Sequence, residues 1–165
     1  MSSIEIRPAN AADVPVVLEM IRGLAEYEKL THMVSATEES LRRTLFAERP
    51  AAEVLLASVD GSVAGFALFF INYSTFLGKP GIYLEDLFVQ PHARGRGVGF
   101  ALLRELARIA RDRDYGRVEW SVLDWNEPAI GFYKKVGAVP LDEWTMFRLT
   151  GDAMGALADR TTSAK

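Results

Sequence analysis

Arg94-Gly95-Arg96-Gly97-Val98-Gly99 stands between an apolar, strand-like run, Gly81 to Val89, and a run of helical spacing that starts at Phe100. Strand, glycine-rich turn and helix start together make an anion site, because backbone amides point at the ligand and the helix dipole favours negative charge. The ligand read from this stretch carries phosphates. A turn that merely joined strand to helix would need neither three glycines in five positions, each weakening the chain entropically, nor two flanking arginines.

Two familiar phosphate motifs do not fit. A P-loop requires Lys and then Ser or Thr after its last glycine, where this chain has Phe100 and Ala101. The dinucleotide fingerprint requires Gly or Ala three residues after its second glycine, and the two possible registers put Phe100 or Leu102 there. Glu119 does lie about twenty residues on, as a ribose-binding acid would, but it is a lone match. The spacing that fits is Arg-x-x-Gly-x-Gly, read as Arg94, Gly97 and Gly99.

The strand before the loop carries two adjacent acids, Glu85 and Asp86, among Ile82, Tyr83, Leu84, Leu87, Phe88 and Val89. Burying a carboxylate there is costly unless it is paired or protonated, and desolvation raises its pKa. Alternation along a strand sends neighbours to opposite faces, so one acid is expected to look into a cleft while the other finds a structural partner. A raised carboxylate in a cleft is what a general base requires. Further on, Asn126-Glu127-Pro128 starts a helix with a cap and an early proline, and Tyr133 follows Phe132 directly, so the two rings cannot share one buried stripe. His32 and His92 are the only histidines, and His92 reads as a surface residue.

These residues need a scaffold. Ile4 to Arg7 reads as a strand stopped by Pro8, and Asn10 caps a helix whose apolar face is Val14, Val17, Leu18, Ile21, Leu24 and Ala25, running to about Glu28. A second helix follows Thr37, with Leu41, Leu45 and Phe46 inside and Pro50 as its terminator. Val54 to Val59 and Val63 to about Asn72 form strands joined by the hairpin signal Asp60-Gly61. The helix after the glycine loop runs to about Arg113, Arg117 to Leu123 is a strand, and Gly137 ends the late helix. Two further strands are expected around Val139 and from Trp144 to Leu149. The order β-α-α-β-β-β-α-β-α-β-β implies an α+β domain, a mixed sheet flanked by helices. Residues 1–150 read as a single domain and 151–165 as a loosely attached tail.

Composition bounds the function. The chain has 165 residues, enough for one sizeable core, and its 49% hydrophobic and 25% charged residues are ordinary globular values. A net charge of −3 argues against nucleic acid, although Arg94, Arg96, Arg104 and Arg108 could serve one small polyanion. Zero cysteines exclude disulfides and cysteine-ligated metal and suit a reducing compartment. No apolar run approaches the roughly eighteen residues of a membrane span and no signal pattern opens the chain, so a cytoplasmic protein without metal or membrane partner is expected.

Arg94-x-x-Gly97-x-Gly99 resembles the coenzyme A pyrophosphate loop of the GNAT superfamily of N-acetyltransferases. Within it, Tyr83-Leu84-Glu85-Asp86-Leu87-Phe88-Val89, Leu24-Ala25-Glu26-Tyr27-Glu28 and Asn126 to Ala138 resemble the diamine (spermidine/spermine) and thialysine acetyltransferases, over about Ile4 to Leu149. The resemblance implies a mostly antiparallel GNAT-type sheet and acetyl-CoA as donor. It implies that Leu87, Phe88 and Val89 hold the pantetheine arm, that Arg94, Gly95, Arg96, Gly97, Val98, Gly99 and Phe100 hold the pyrophosphate, and that Asn126, Pro128 and Ala129 touch the cofactor. Tyr133 would protonate the departing thiolate, and Glu85 would help deprotonate the amine. Tyr27, Glu28, Glu85, Asp86, Asp142 and Glu143 would surround a small cationic amine, and a homodimer is implied. A peptide or protein acceptor is the alternative within the enzyme class, and a non-catalytic acyl-CoA-binding domain is the alternative outside it. The chain departs from the diamine enzymes in having only Asp60-Gly61 between its early strands, one more residue at Pro80-Gly81, and Phe76 where they have tryptophan. These departures are expected to border the acceptor side.

Overall fold

A computed structural model describes residues 3–160 and divides the chain into two compact units, Met1–Ser121 and Val122–Lys165. The last residues of the expected tail, 161–165, lie outside the described residues.

The first unit is a five-stranded sheet with three helices. Its elements are β1 (Ile4–Pro8), α1 (Val14–Tyr27), α2 (Glu38–Leu45), β2 (Glu53–Val59), β3 (Ser62–Ser74), β4 (Lys79–Val89), α3 (Val98–Asp112) and β5 (Val118–Trp120). The strands lie in sequence order; every pair is antiparallel except β4–β5, which is parallel and joined through α3. Helix starts follow their caps. Asn10 and Thr37 each form a capping box, with Asp13 and Ser40 respectively, which satisfies amides that the helix leaves open. Asp60 and Gly61 both take positive φ (51° and 84°), the tight turn that the pair signals.

Successive residues of β3 serve opposite faces. Phe66 joins Val14, Val17, Leu18, Met20, Leu41 and Leu45 in the core under α1 and α2. Gly65 faces the other way, where a Cβ would stand 3.2 Å from Val98 and 3.5 Å from Leu102 of α3. Phe66, Phe69, Met20 and Leu56 are almost wholly buried, and each such side chain contributes about 1.5–3 kcal/mol through burial.

The second unit holds α4 (Glu127–Lys135) and α5 (Gly151–Ala158). The two expected late strands do not form: 136–150 contains no strand, so the sheet has five strands rather than seven. A strand requires a ladder partner for its backbone groups, and this unit offers none among the described residues. Pro140 lacks an N–H, and adjacent Met146 and Phe147 break the alternation. Within the stretch from Gly151, residues through Ala158 form α5, whose three alanines favour a helix; all of its residues are exposed. No apolar side chain of this unit is buried among the described residues.

Candidate active site

The end of β4, the loop behind it and the start of α3 form one continuous backbone surface. Gly95 and Gly97 have φ of 74° and 85°, a left-handed conformation that side chains with a Cβ adopt at a cost. Gly97 is the N-cap of α3, and no side chain caps the helix. The first intrahelical bond runs from the Ala101 amide to the Gly97 carbonyl (2.9 Å), so the amides of Val98, Gly99 and Phe100 have no acceptor within the helix. Nothing lies within 4 Å of the place where a Cβ on Gly95 would stand, and Phe100 is half exposed. Open donors at the positive end of a fifteen-residue helix make a phosphate cradle that α3 itself leaves unfilled.

The arginines divide. Arg96 pairs with Asp60 (3.1 Å) in the β2–β3 turn. The sequence comparison with the diamine enzymes assigns this turn to the acceptor side; the ion pair ties it to the glycine loop instead. Arg108 is held on the outer flank of α3 by Glu105 and Asp112, so the four basic residues do not converge on one point. Arg94 turns toward α1: its guanidinium lies 4.7 Å from the centre of the Tyr27 ring and 5.7 Å from that of Phe88, and its Nε donates to the Val89 carbonyl (3.0 Å).

Two irregularities in β4 sit beside the loop. Across β3, Leu68 faces Asp86 and Phe69 faces Leu84, which leaves Glu85 as an extra residue in a β-bulge. Toward β5 the ladder covers only Ile82, Tyr83 and Leu84. From Glu85 to Val89 that edge of β4 therefore has no strand partner among the described residues. Leu87 and Val89 lie on the α3 side, where Val89 is 3.7 Å from the position of a Gly99 Cβ.

Asp86 and Phe88 lie on the α1 side, since Phe88 belongs to the core under α1 and Asp86 precedes it by two residues. The bulge interrupts the ladder between the two acids, and the charge of Glu85 acts on Asp86. Burial foremost, then Glu85 and Glu28, pushes the Asp86 carboxyl up to about 6. Glu28, the C-cap of α1, is itself raised by burial. Glu85 is exposed and Asp86 partly buried. The acids from α1 and β4 thus form one cluster, with Tyr27 and Arg94 close by. An open cleft of about 570 Å³ lies beyond Phe88, lined by Glu19, Arg22, Glu26 and Gln90 among others; it reaches neither Asp86 nor the glycine loop.

In the second unit, Asn126 is buried (7% exposed) and its Oδ1 accepts from the Ala129 amide (3.4 Å), which caps α4 just ahead of Pro128. Tyr133 is partly buried, with its ring centre 5.4 Å from that of Phe132. Asp142 and Glu143 are exposed in the turn closed by the Trp144 amide on the Leu141 carbonyl. The structure thus gathers the loop residues together and gathers Glu28, Glu85 and Asp86 together, while Asn126, Pro128, Ala129 and Tyr133 share α4 and its cap. Three features escape sequence reasoning: the bulge, the seat of Arg94 on Tyr27, and the Asp60–Arg96 pair. None has a local residue signature.

Residues 20–138 match the model of the acetyltransferase (GNAT) family. Thialysine N-epsilon-acetyltransferase of Mus musculus is 40% identical over 171 residues, covering 97% of this chain and 100% of that protein. L-ornithine N5-acetyltransferase of Arabidopsis thaliana is 37% identical, covering 92% of this chain and 86% of that one. Among solved structures, an integron cassette protein from the mobile metagenome of V. cholerae superposes with a TM-score of 0.79 at 29% identity, covering 96% of this chain and 99% of that one. An open phosphate cradle at the start of α3, a bulged and half-unpaired β4, and this likeness along nearly the whole chain lead to one conclusion: the protein belongs to the GNAT family of N-acetyltransferases.

Proposed function

We propose that the protein transfers an acetyl group from acetyl-CoA to a primary amine of a small cationic acceptor, a polyamine, a diamine or a lysine-like amino acid, by direct attack in a ternary complex. The observation that carries this reading is the acidic cluster at β4 and the end of α1, where the charges of Glu85 and Glu28 both act on Asp86. Two relatives whose names specify thialysine and ornithine support an amine of this class.

The residues present fit the donor. Arg94 to Phe100 would hold the pyrophosphate through the amides left open at α3, and the unpartnered edge of Leu87, Phe88 and Val89 would hold the arm. Asn126, Pro128 and Ala129 complete the set that the family likeness marks. When bound, acetyl-CoA supplies an acetyl group activated as a thioester.

The chain supplies the rest. An alkylammonium has a pKa near 10.4, so a carboxylate must take its proton before nitrogen can attack; Glu85 is the acid that the family likeness marks. An amide of the open β4 edge would polarise the acyl carbonyl. Tyr133 would protonate the departing thiolate; between a free phenol, with a reference pKa near 10, and a free thiol near 8.5 such a transfer carries a modest cost. Tyr27, Glu28, Asp86, Asp142 and Glu143 would surround the cation. We read residues 1–150 as one catalytic domain with the remainder as its tail, acting as a homodimer in the cytoplasm.

Thiol release measured with a panel of polyamines, diamines, lysine-like amino acids and lysine peptides tests this. Tyr133→Phe should lower kcat by about 10²-fold, within the usual range for a positioned proton donor, with acetyl-CoA affinity unchanged by calorimetry. An unaltered rate would remove Tyr133 from the mechanism, and release with peptides alone would replace the small amine.

A further inference from the structure

We propose that the hydrogen bond between Tyr83 and Ser121 fixes the point at which β5 parts from β4, and so holds open the strand edge that takes the cofactor's arm. The inference rests on the acetyl-CoA reading and adds a pair of positioning residues to it.

The β4–β5 ladder is short. Its three rungs join Ile82 to Val118, Tyr83 to Glu119 and Leu84 to Trp120. Continued in the same parallel register, the next rung would bring Ser121 opposite Glu85, and that rung does not form. Glu85 is the extra residue of the bulge, out of step with β3, and the ladder stops one position short of it. An unpaired strand edge is a template for any chain that can lie along it. The chain best placed to do so here is β5 itself, continued through Ser121.

Ser121 bonds to a side chain instead: its Oγ lies 2.8 Å from the Tyr83 hydroxyl, and either oxygen can donate. The two residues share a face of the sheet. Tyr83 stands opposite Phe70 in the β3–β4 ladder, and Phe70 follows Phe66 by four residues, which places both on the α1 side. Ser121 follows Glu119, the rung partner of Tyr83, by two. From β3 the Tyr83 ring is held by Phe70, their centres 5.1 Å apart and their planes inclined by 30°. A ring already seated by packing loses little freedom in making a further bond, so its hydroxyl is a fixed anchor. The bond therefore crosses from β4 to β5 just past the last backbone rung.

This tie keeps the backbone of Ser121 off Glu85, and the edge of β4 from Glu85 to Val89 stays open. It also gives the mouth of that edge one geometry before any ligand arrives, and a site held in its bound form avoids an ordering cost on binding. Without the tie, the end of β5 could zip onto β4 or swing from it, and either motion would have to be reversed. The phosphate cradle at the start of α3 is built from Arg94 to Phe100 and touches neither residue. The arm of one ligand thus senses the fork, and its phosphates do not.

Calorimetry with two ligands tests this: acetyl-CoA, and 3′-phospho-ADP, which has the same phosphates without the arm. Ser121 is exposed, which keeps the bond modest, so Tyr83→Phe and Ser121→Ala should each weaken acetyl-CoA binding about three- to fivefold. The double variant should lose no more than either alone, because both remove the same bond. Ser121→Thr, which keeps a hydroxyl, should recover most of the loss. Affinity for 3′-phospho-ADP should not change, a selectivity that a general loosening of the fold would not produce. Undiminished acetyl-CoA affinity in the single variants, additive losses in the double variant, or equal losses for the two ligands would overturn the proposal. Wild-type protein that binds neither ligand would sink the acetyl-CoA reading itself, and the fork pair with it.

Discussion

The two faces of β4 work with different materials. On the α3 side, the features that would meet a cofactor are backbone: glycines at positive φ, uncapped amides and a strand edge without a neighbour among the described residues. On the α1 side they are side chains, Asp86 and Glu28 under the influence of Glu85 at the bulge, with Tyr27 and Arg94 stacked on one another nearby. Backbone sites depend on a few glycines and tolerate changes elsewhere, so they suit the half of a reaction that relatives share. Side-chain sites can be retuned one residue at a time, so they suit the half that differs. Arg94 belongs to the loop by sequence and to the acidic side by position, which makes it the seam between the two.

The sharpest way to break this division is Gly97→Val. Its φ of 85° penalises any residue with a Cβ, whereas the space there is open, the nearest atom being Ile4 Cδ1 at 3.9 Å. The loop should reshape without unfolding the domain, acetyl-CoA affinity should fall by roughly 100-fold (about 2.7 kcal/mol), and the amine KM should stay within about threefold. Calorimetry showing unchanged affinity would refute the cradle.

Next in size is the pH dependence of stability. Asp86 has a folded pKa of about 6, above its unfolded value near 3.9, so the fold disfavours its charged form. Stability from this group is greatest below about pH 4 and is lost as pH rises through 6. Asp86→Asn should therefore be more stable than wild type at about pH 7.5 by up to about 2 kcal/mol, with the gap closing by about pH 4.5. Urea unfolding at the two pH values reads it, and equal gaps would mean that Asp86 is not held in a desolvated site.

The smallest effect probes the seam. Arg94→Ala removes the guanidinium from the Tyr27 and Phe88 rings, an interaction of about 1 kcal/mol, and should raise the amine KM about fivefold. If acetyl-CoA affinity falls by more than the amine KM rises, Arg94 belongs to the cofactor side after all.

The sequence shows one face of β4 better than the other, for a physical reason. Glycine spacing reports backbone conformation directly, and caps such as Asn10, Thr37 and Asn126 announce helix starts, so the loop and the helices are legible from residue types alone. A bulge leaves no such mark. Glu85 and Asp86 read as ordinary strand neighbours, and only the register with Leu68 and Phe69 shows that Glu85 is an extra residue. Long-range pairs such as Asp60 with Arg96 are likewise silent, because each residue is ordinary in its own segment. The strands expected after Ala138 fail for a related reason: a strand is a property of a pair, and apolar residues alone do not supply the partner.

The Asp60–Arg96 pair bears on how quickly the loop could be filled. Both side chains are largely exposed, 61% and 40%, and such a pair contributes little on its own. A phosphate arriving at the loop would draw Arg96 from one exposed partner to another, an exchange that nearly cancels in equilibrium affinity. What survives the cancellation is the approach, since a positive charge at the rim steers a polyanion inward from several ångströms away. The turn between β2 and β3 would thereby act as a rest position for that charge, and its influence would fall on the association rate and its salt dependence rather than on the final grip.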